Sequence, residues 1–373
     1  MSVRLPKCAE HLLNCSGLGL IAFAIALILI SDRSPTLRAE DVPGNALLNP
    51  HAIVFDAAKK KVYVVDPAHR AVYVIRTTTQ EQHPVRVGAG PVSIGINTRT
   101  GRAYVVNADD GTVSVINEDT DTVVATVAVG SHPYSIAVNS STGLAYISHT
   151  FSDQTTILDC ATNVASNLRT GSSDLIAIDP DRNIIYLMGY ESSTLTVLDG
   201  ASRSLSSIAV GMHEWGLALE EGAGTVYVAR TGAAEVAALK RSTAIPETIP
   251  TGLIPCALAF NPNKERAYVA NYGDNSITVI DTSKARVIAT VPAGHRPQAI
   301  AFDAARDLVL VANTPDDIVT VLDGSTYAVL GKLPAGKHPY ALVVDSDSGG
   351  LYVADLDDDR PFSIIDLLGT RKP

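Results

Sequence analysis

The 373-residue sequence predicts an all-β fold of repeated units, and three observations carry that prediction. An anchor residue recurs as Tyr63, Tyr104, Tyr146, Tyr186, Tyr227, Tyr268, Leu310 and Tyr352, at separations of 41, 42, 40, 41, 41, 42 and 42 residues. A second marker runs in phase with it, an acidic or amide residue at Asp56, Asn97, Asn139, Asp179, Glu220, Asn261, Asp303 and Asp345 that closes a short apolar run. No stretch carries the periodicity of an amphipathic helix, and each copy reads instead as short β-type runs separated by turn residues. Independent domains do not keep a fixed period, so the chain is eight copies of a unit of about 41 residues, from about Pro50 onward. Four-stranded antiparallel units at this period pack face to face around an axis, which predicts an eight-bladed β-propeller, or seven blades if one terminal copy stays outside the ring.

Taken in order, the chain begins with Arg4 and Lys7 ahead of an uncharged stretch from Leu12 to Ser31, and Leu37-Arg38-Ala39 precedes Glu40. A basic start, an apolar middle and a small-residue site are the pattern of a cleaved signal peptide. The uncharged stretch also reaches the ~20 residues a membrane helix needs, so an uncleaved anchor is the alternative. Residues 1–39 are therefore expected to be a signal peptide or an N-terminal membrane anchor, and 40–373 a single propeller domain. The expected location is periplasmic or extracellular, or tethered to a membrane facing outward.

Within a copy the strands follow in a fixed order, shown in the seventh by AIAF, VLVAN, IVTVLD and AVLGKLPAG. Gly95, Ala137, Ala177, Ala218, Ala259 and Ala301 hold equivalent places in the first strand, where convergence on the axis limits bulk. Val, Ile and Leu fill the second and third strands, as expected for strands buried on both faces. Asp110-Gly111 and Tyr272-Gly273-Asp274-Asn275 supply the reversal between them. Asp159, Asp199, Asp281, Asp323 and Asp366 close third strands and read as turn caps. In the last copy FSIID (362–366) is followed only by LLGTRKP, too little for an ordinary fourth strand, and residues 37–46 stand in the phase to supply one.

The runs YVVN (104–107), YVAN (268–271), LVAN (310–313) and YVAD (352–355), followed by segments such as SITVIDT (276–282) and VIATVPAG (287–294), resemble the YVTN-type β-propeller repeat family over residues 50–373. The resemblance implies the propeller and says little about activity, because such blades occur in binding proteins, surface-layer proteins and enzymes alike. The fifth copy departs from the pattern, with VARTGAAEVAALKRS at 228–242.

Composition narrows the function. The formal charge is −10, and removal of residues 1–39 would leave 25 basic against 37 acidic groups, or −12. With no Lys/Arg run, a surface that neutralises nucleic-acid phosphates is not expected. Cys8, Cys15, Cys160 and Cys256 form no Cys-x-x-Cys-His and no zinc spacing, and no Gly-x-Ser-x-Gly or Walker sequence occurs.

In a propeller, the loop leading into each first strand and the loop leaving the second emerge on one face and surround the central channel. Five residues before each marker stand His51, Val92, Tyr134, Asp174, Trp215, Cys256, Gln298 and Tyr340, which vary while the scaffold repeats. Two residues earlier come His132, His213, Arg296 and His338, and the second strands end at Asp66, Asn107, His149, Arg230, Asn271, Asn313 and Asp355. The expected ligand-binding rim is His51, Tyr134, Asp174, His213, Trp215, Arg230, Gln298, His338 and Tyr340, with Trp215 and Arg230 as an aromatic surface beside a directed charge. His132 and His149, in one blade, are the candidate pair for a divalent metal; no other cofactor is expected. Asp109-Asp110, Asp316-Asp317 and Asp357-Asp358-Asp359 lack the alternating spacing of a calcium loop and read as turn residues. Cys256 reads as an inert buried thiol. The expected function is a non-catalytic monomer that binds a small ligand or a protein at the rim; the alternative is a metal-assisted lactonase or lyase at the channel mouth.

Overall fold

The computed structural model describes residues 52–189, 192–211, 214–241, 245–356 and 361–369. The expected signal or anchor segment, the strand at 37–46, His51, His213 and Asp357-Asp358-Asp359 lie outside the described residues.

Eight antiparallel sheets form a ring of eight blades, so the seven-bladed alternative does not hold. Seven blades have four strands paired in sequence order; the eighth has three among the described residues, Ala341–Asp345, Gly350–Ala354 and Phe362–Asp366. The only helical segments described are single 3₁₀ turns. First strands lie beside one another around the ring, from Ile53–Asp56 through Pro91–Asn97 and Pro133–Asn139 to Ala341–Asp345, which packs back on Ile53–Asp56. They converge tightly: a Cβ at Gly95 would lie 2.8 Å from Val138 of the next blade, so only glycine fits there.

The anchors hold the middle of each blade. Tyr63, Tyr104, Tyr146, Tyr186, Tyr227, Tyr268, Leu310 and Tyr352 are all buried in second strands. Several tyrosine hydroxyls reach the following blade: Tyr104 donates to the Cys160 carbonyl at 3.3 Å and Tyr268 to the Gly324 carbonyl at 2.9 Å. Each such bond contributes on the order of 1 kcal/mol and ties neighbouring blades at a fixed height. Blade eight meets blade one in the same way, with Gln80 Nε2 donating to the Tyr352 hydroxyl at 3.1 Å, Lys60 against Asp347 at 2.6 Å, and Tyr73 packed on Phe362.

The markers serve the turn after the first strand. Asp56 Oδ1 accepts from the N–H groups of Ala58 and Lys59, Asn139 Oδ1 from Ser141 and Thr142, and Asp303 Oδ1 from Ala305 and Arg306. The aspartates closing third strands cap the next turn, as Asp159 does for Ala161 and Thr162 and Asp323 for Ser325 and Thr326. Their recurrence is therefore structural. Outer strands such as Thr122–Ala128 alternate exposed and half-buried residues, as a one-sided edge requires.

Candidate functional site at the channel mouth

The lead-in loops bring the chain to the mouth in a strained conformation. His132, Ile254, Arg296 and His338 have φ between 47° and 54°, the left-handed region, and each is followed by proline. A side chain there costs about 1–2 kcal/mol, which hydrogen bonds from the neighbouring turn offset. Asn275 Oδ1 accepts from the Arg296 N–H at 2.8 Å, Asp317 Oδ1 from His338 at 2.8 Å and Asp110 Oδ2 from Ala89 at 2.6 Å. The acidic pairs at 109–110 and 316–317 therefore brace loops, and among the described residues no group of three His, Cys, Asp or Glu is placed to hold a metal.

Past the proline, the strand is interrupted in a repeated way. Register between first and second strands shifts by one residue between Pro91 and Ser93, Glu214 and Gly216, Pro255 and Ala257, and Pro297 and Ala299, and the third blade shifts at the equivalent place. The residue left over is Val92, Tyr134, Trp215, Cys256 or Gln298, the position at which the copies differ most. A bulged residue has no partner across the ladder and is re-aimed relative to the strand.

Tyr134 lies within electrostatic reach of Asp174 and Tyr340. Burial holds the Tyr134 hydroxyl above its ordinary pKa, and the charges of Asp174 and Tyr340 add to the effect. Tyr340 is raised by burial and then by Asp355 and Asp66. Tyr134 and Tyr340 belong to the third and eighth blades, three steps apart around the ring, and groups so placed sense each other only near the axis. Gln298 is half-buried, and the single Thr314 hydroxyl proton is shared between Gln298 Oε1 at 2.8 Å and the Pro339 carbonyl at 2.7 Å. His338 is exposed. Cys256 lies in the core against the Pro297 and Ala270 carbonyls, its thiol pushed up to about 12 by burial, which leaves no thiolate at neutral pH.

Trp215 and Arg230, expected as an aromatic surface beside a directed charge, each have a partner of their own. Arg230 faces Glu235 directly across the second and third strands of its own blade and bonds it. Trp215 packs on Tyr272, ring centroids 5.9 Å apart, and the Arg296 guanidinium lies 5.6 Å from the Tyr272 ring. An aromatic–aromatic–cation ladder thus crosses the fifth, sixth and seventh blades. In the sequence Tyr272 stands as a turn residue and Arg296 as one lead-in residue among several.

The second-strand ends are placed differently from expectation too. Asn107, His149, Asn271 and Asn313 are buried rather than on the rim. Asn107, Asn271 and Asn313 are still paired in register with the third strand, so their side chains turn to a blade face rather than the channel. Asn107 Nδ2 donates to Thr112 and Ser114 at 3.0 Å each, Asn271 Nδ2 to Ser276 and Thr278 at 2.9 Å each, and Asn313 Nδ2 to Thr320 at 2.8 Å. The lead-in loop closes over them with glycine, because a Cβ at Gly88 or Gly294 would lie 2.7 or 2.6 Å from the Asn107 or Asn313 side chain. His149 fills the same place, with Nε2 at 2.8 Å from Thr156 Oγ1 and Nδ1 at 2.9 Å from the Ser131 carbonyl. Burial lowers its pKa, with the nearby His132 adding to the effect. His132 is exposed with its ring edge-on to Phe151. Both His149 nitrogens are engaged, so a metal held by this pair would have to displace Thr156 or Ser131.

Comparison with known proteins agrees on the fold. The lactonase, seven-bladed β-propeller family model matches residues 217–333, about a third of the chain, from the fifth blade through the seventh. No curated protein matches. Among solved structures, dihydro-heme d1 dehydrogenase NirN in complex with DHE superposes with a TM-score of 0.71 at 16% identity, covering 99% of this chain and 83% of that one. The hydrazine synthase of Kuenenia stuttgartiensis superposes with a TM-score of 0.60 at 16% identity, covering 76% of this chain and 97% of that one. At such identity the likeness is one of fold.

Proposed function

We propose that this β-propeller is an exported binding protein that holds a planar, anionic small molecule at the channel mouth. The observation that supports it is the Trp215–Tyr272–Arg296 ladder, built from a bulge, a turn and a lead-in loop of three successive blades. Stacking on the indole and pairing with the guanidinium suit a flat ring carrying a carboxylate or phosphate. Tyr134, Tyr340 and Gln298 supply further polar groups, and Asp174 repels a second negative charge. Export rests on residues 1–39.

The partial match to a lactonase family favours a second reading, a propeller enzyme. That reading would use Tyr134 and Asp174 around the substrate, and a metal at His132 and His149 only if the His149 bonds gave way.

The test is a screen of aromatic carboxylates and phosphates by quenching of Trp215, the one tryptophan in the chain. Trp215→Ala or Arg296→Gln should weaken the best ligand by about 10-fold or more, within the range for losing an anchor. Arg230→Gln should not. If both variants bind as tightly as the parent, the placement is wrong; if bound ligand is turned over, the enzyme reading replaces it.

A further inference from the structure

On the face of the ring opposite the mouth, the marker closing each first strand stands at the seam with the next blade. At most seams it meets a complementary polar or charged group, directly or through a neighbouring side chain. Asp179 meets Arg241 at 2.9 Å, Glu220 accepts from Thr282 at 2.9 Å, and Asn139 donates to Asn183 at 2.9 Å. Asn261 reaches Asp307 at 3.4 Å, Asp345 lies 3.8 Å from Lys60, and Asp303 is held by Arg306, which also bonds the Ser346 carbonyl. Asn97 stands beside the Cys160 thiol. The junction of blades one and two is the exception: it sets the Asp56 carboxyl beside that of Glu118, and the two residues are 2% and 0% exposed.

No cation neutralises Glu118 directly. Neither of its carboxyl oxygens makes a well-formed hydrogen bond, and the groups close enough to share one are the buried Tyr63 hydroxyl and the Asp56 carboxyl. The nearest ammonium, Lys61, bonds the backbone carbonyl of Glu118 and the Asp121 carboxylate at 2.6 Å. Arg76 and His83 also face Asp121, at 3.2 and 3.5 Å, and Lys59 is paired with Asp119 at 2.5 Å. Two adjacent buried carboxylates with the local cations committed elsewhere cannot both stay ionised at low cost.

We propose that the seam between blades one and two is closed by a proton that Glu118 takes up and shares with Asp56, making this one junction of the ring sensitive to pH near neutrality. Burial first, and the charge of Asp56 second, raise the Glu118 carboxyl to about 7, against an ordinary 4.5. Tyr63 stays protonated as a donor, since burial and the charges of Glu118 and Asp121 raise it further from neutrality. An acid whose pKa is raised on folding binds its proton more tightly in the folded state. Its contribution is complete below about 4.5 and is lost as pH rises through 7. The seam loosens in alkali, opposite to the usual behaviour of paired carboxylates.

The experiment is urea unfolding of the full chain from pH 5 to pH 8, comparing the parent with Glu118→Gln. Relative to the variant, the parent's folding equilibrium constant should fall by roughly 70-fold over that range. Hydrogen exchange at the Glu118 amide, which bonds the Gly101 carbonyl, should rise with it beyond the intrinsic pH effect, while the Asp179–Arg241 seam stays unchanged. Parallel curves for parent and variant overturn the proposal. So does full recovery of the parent at pH 8 on adding calcium or magnesium, which would make the seam a cation site. If Glu118→Gln does not fold, Asp56→Asn serves, because asparagine already stands at the equivalent positions 97, 139 and 261. It should move the parent's transition to lower pH, and an unmoved transition counts against the shared proton.

Discussion

Replacing Asn271 by alanine separates a blade-holding role from a ligand-binding one. The side chain is fully buried and donates two hydrogen bonds of 2.9 Å, to Ser276 and Thr278. Losing them removes about 2 kcal/mol at about 1 kcal/mol each. The vacated space adds about 1 kcal/mol if the glycine-closed loop does not collapse into it. Against this, the Asn271 Oδ1 is buried without a partner, and removing it returns about 1 kcal/mol. The two hydroxyls are not orphaned, since Ser276 donates to Asp274 at 2.6 Å and Thr278 accepts from the Gly252 N–H at 3.2 Å. The expected loss is about 2 kcal/mol, read as a lower urea midpoint by Trp215 fluorescence, with ligand affinity at the mouth unchanged. A loss under about 0.5 kcal/mol together with a tenfold weaker ligand would refute the staple argument and return Asn271 to the rim.

Two further outcomes follow from the buried groups. Cys160 and Cys256 should resist thiol reagents in the native protein and react only on unfolding, because burial raises both thiols; peptide mapping after labelling at pH 8 checks this, and fast native labelling of Cys256 would contradict it. His149→Asn should cost under about 1 kcal/mol, since asparagine makes the same connection at 107, 271 and 313. Because the folded state lowers the His149 pKa, its contribution is present above the ordinary 6.5 and lost as pH falls below it, so the parent should lose more stability than the variant between pH 7 and pH 5.

The architecture was legible because the anchors and markers recur with a period, and each copy solves the same packing problem. The variable position five residues before the marker was legible too, and it coincides with the bulge in five blades. What the sequence hid are contacts between unlike repeat positions. Tyr272 follows a second strand, Arg296 precedes a first strand and Trp215 is a bulge; no periodicity links them, since their meeting depends on how three loops lean over the mouth. The second-strand ends were misplaced for a simpler reason. Whether the last residue of a strand faces a ligand or a neighbouring sheet depends on whether it is still paired, and Asn107, Asn271 and Asn313 are.

The bulges also bear on how such a ring can change its role over generations. A residue in the regular ladder is answerable to the strand opposite, so altering it disturbs a fit between blades. A bulged residue has no opposite number, which is why valine, tyrosine, tryptophan, cysteine and glutamine all stand at one place in a single chain. Each of the five bulged blades therefore offers a slot where one substitution changes a side chain without disturbing the pairing of the ladder. Varying Tyr134, Trp215 and Gln298 one blade at a time changes the chemistry at the mouth while the ladder pairing beneath is kept, and duplicated blades give natural variation the same freedom.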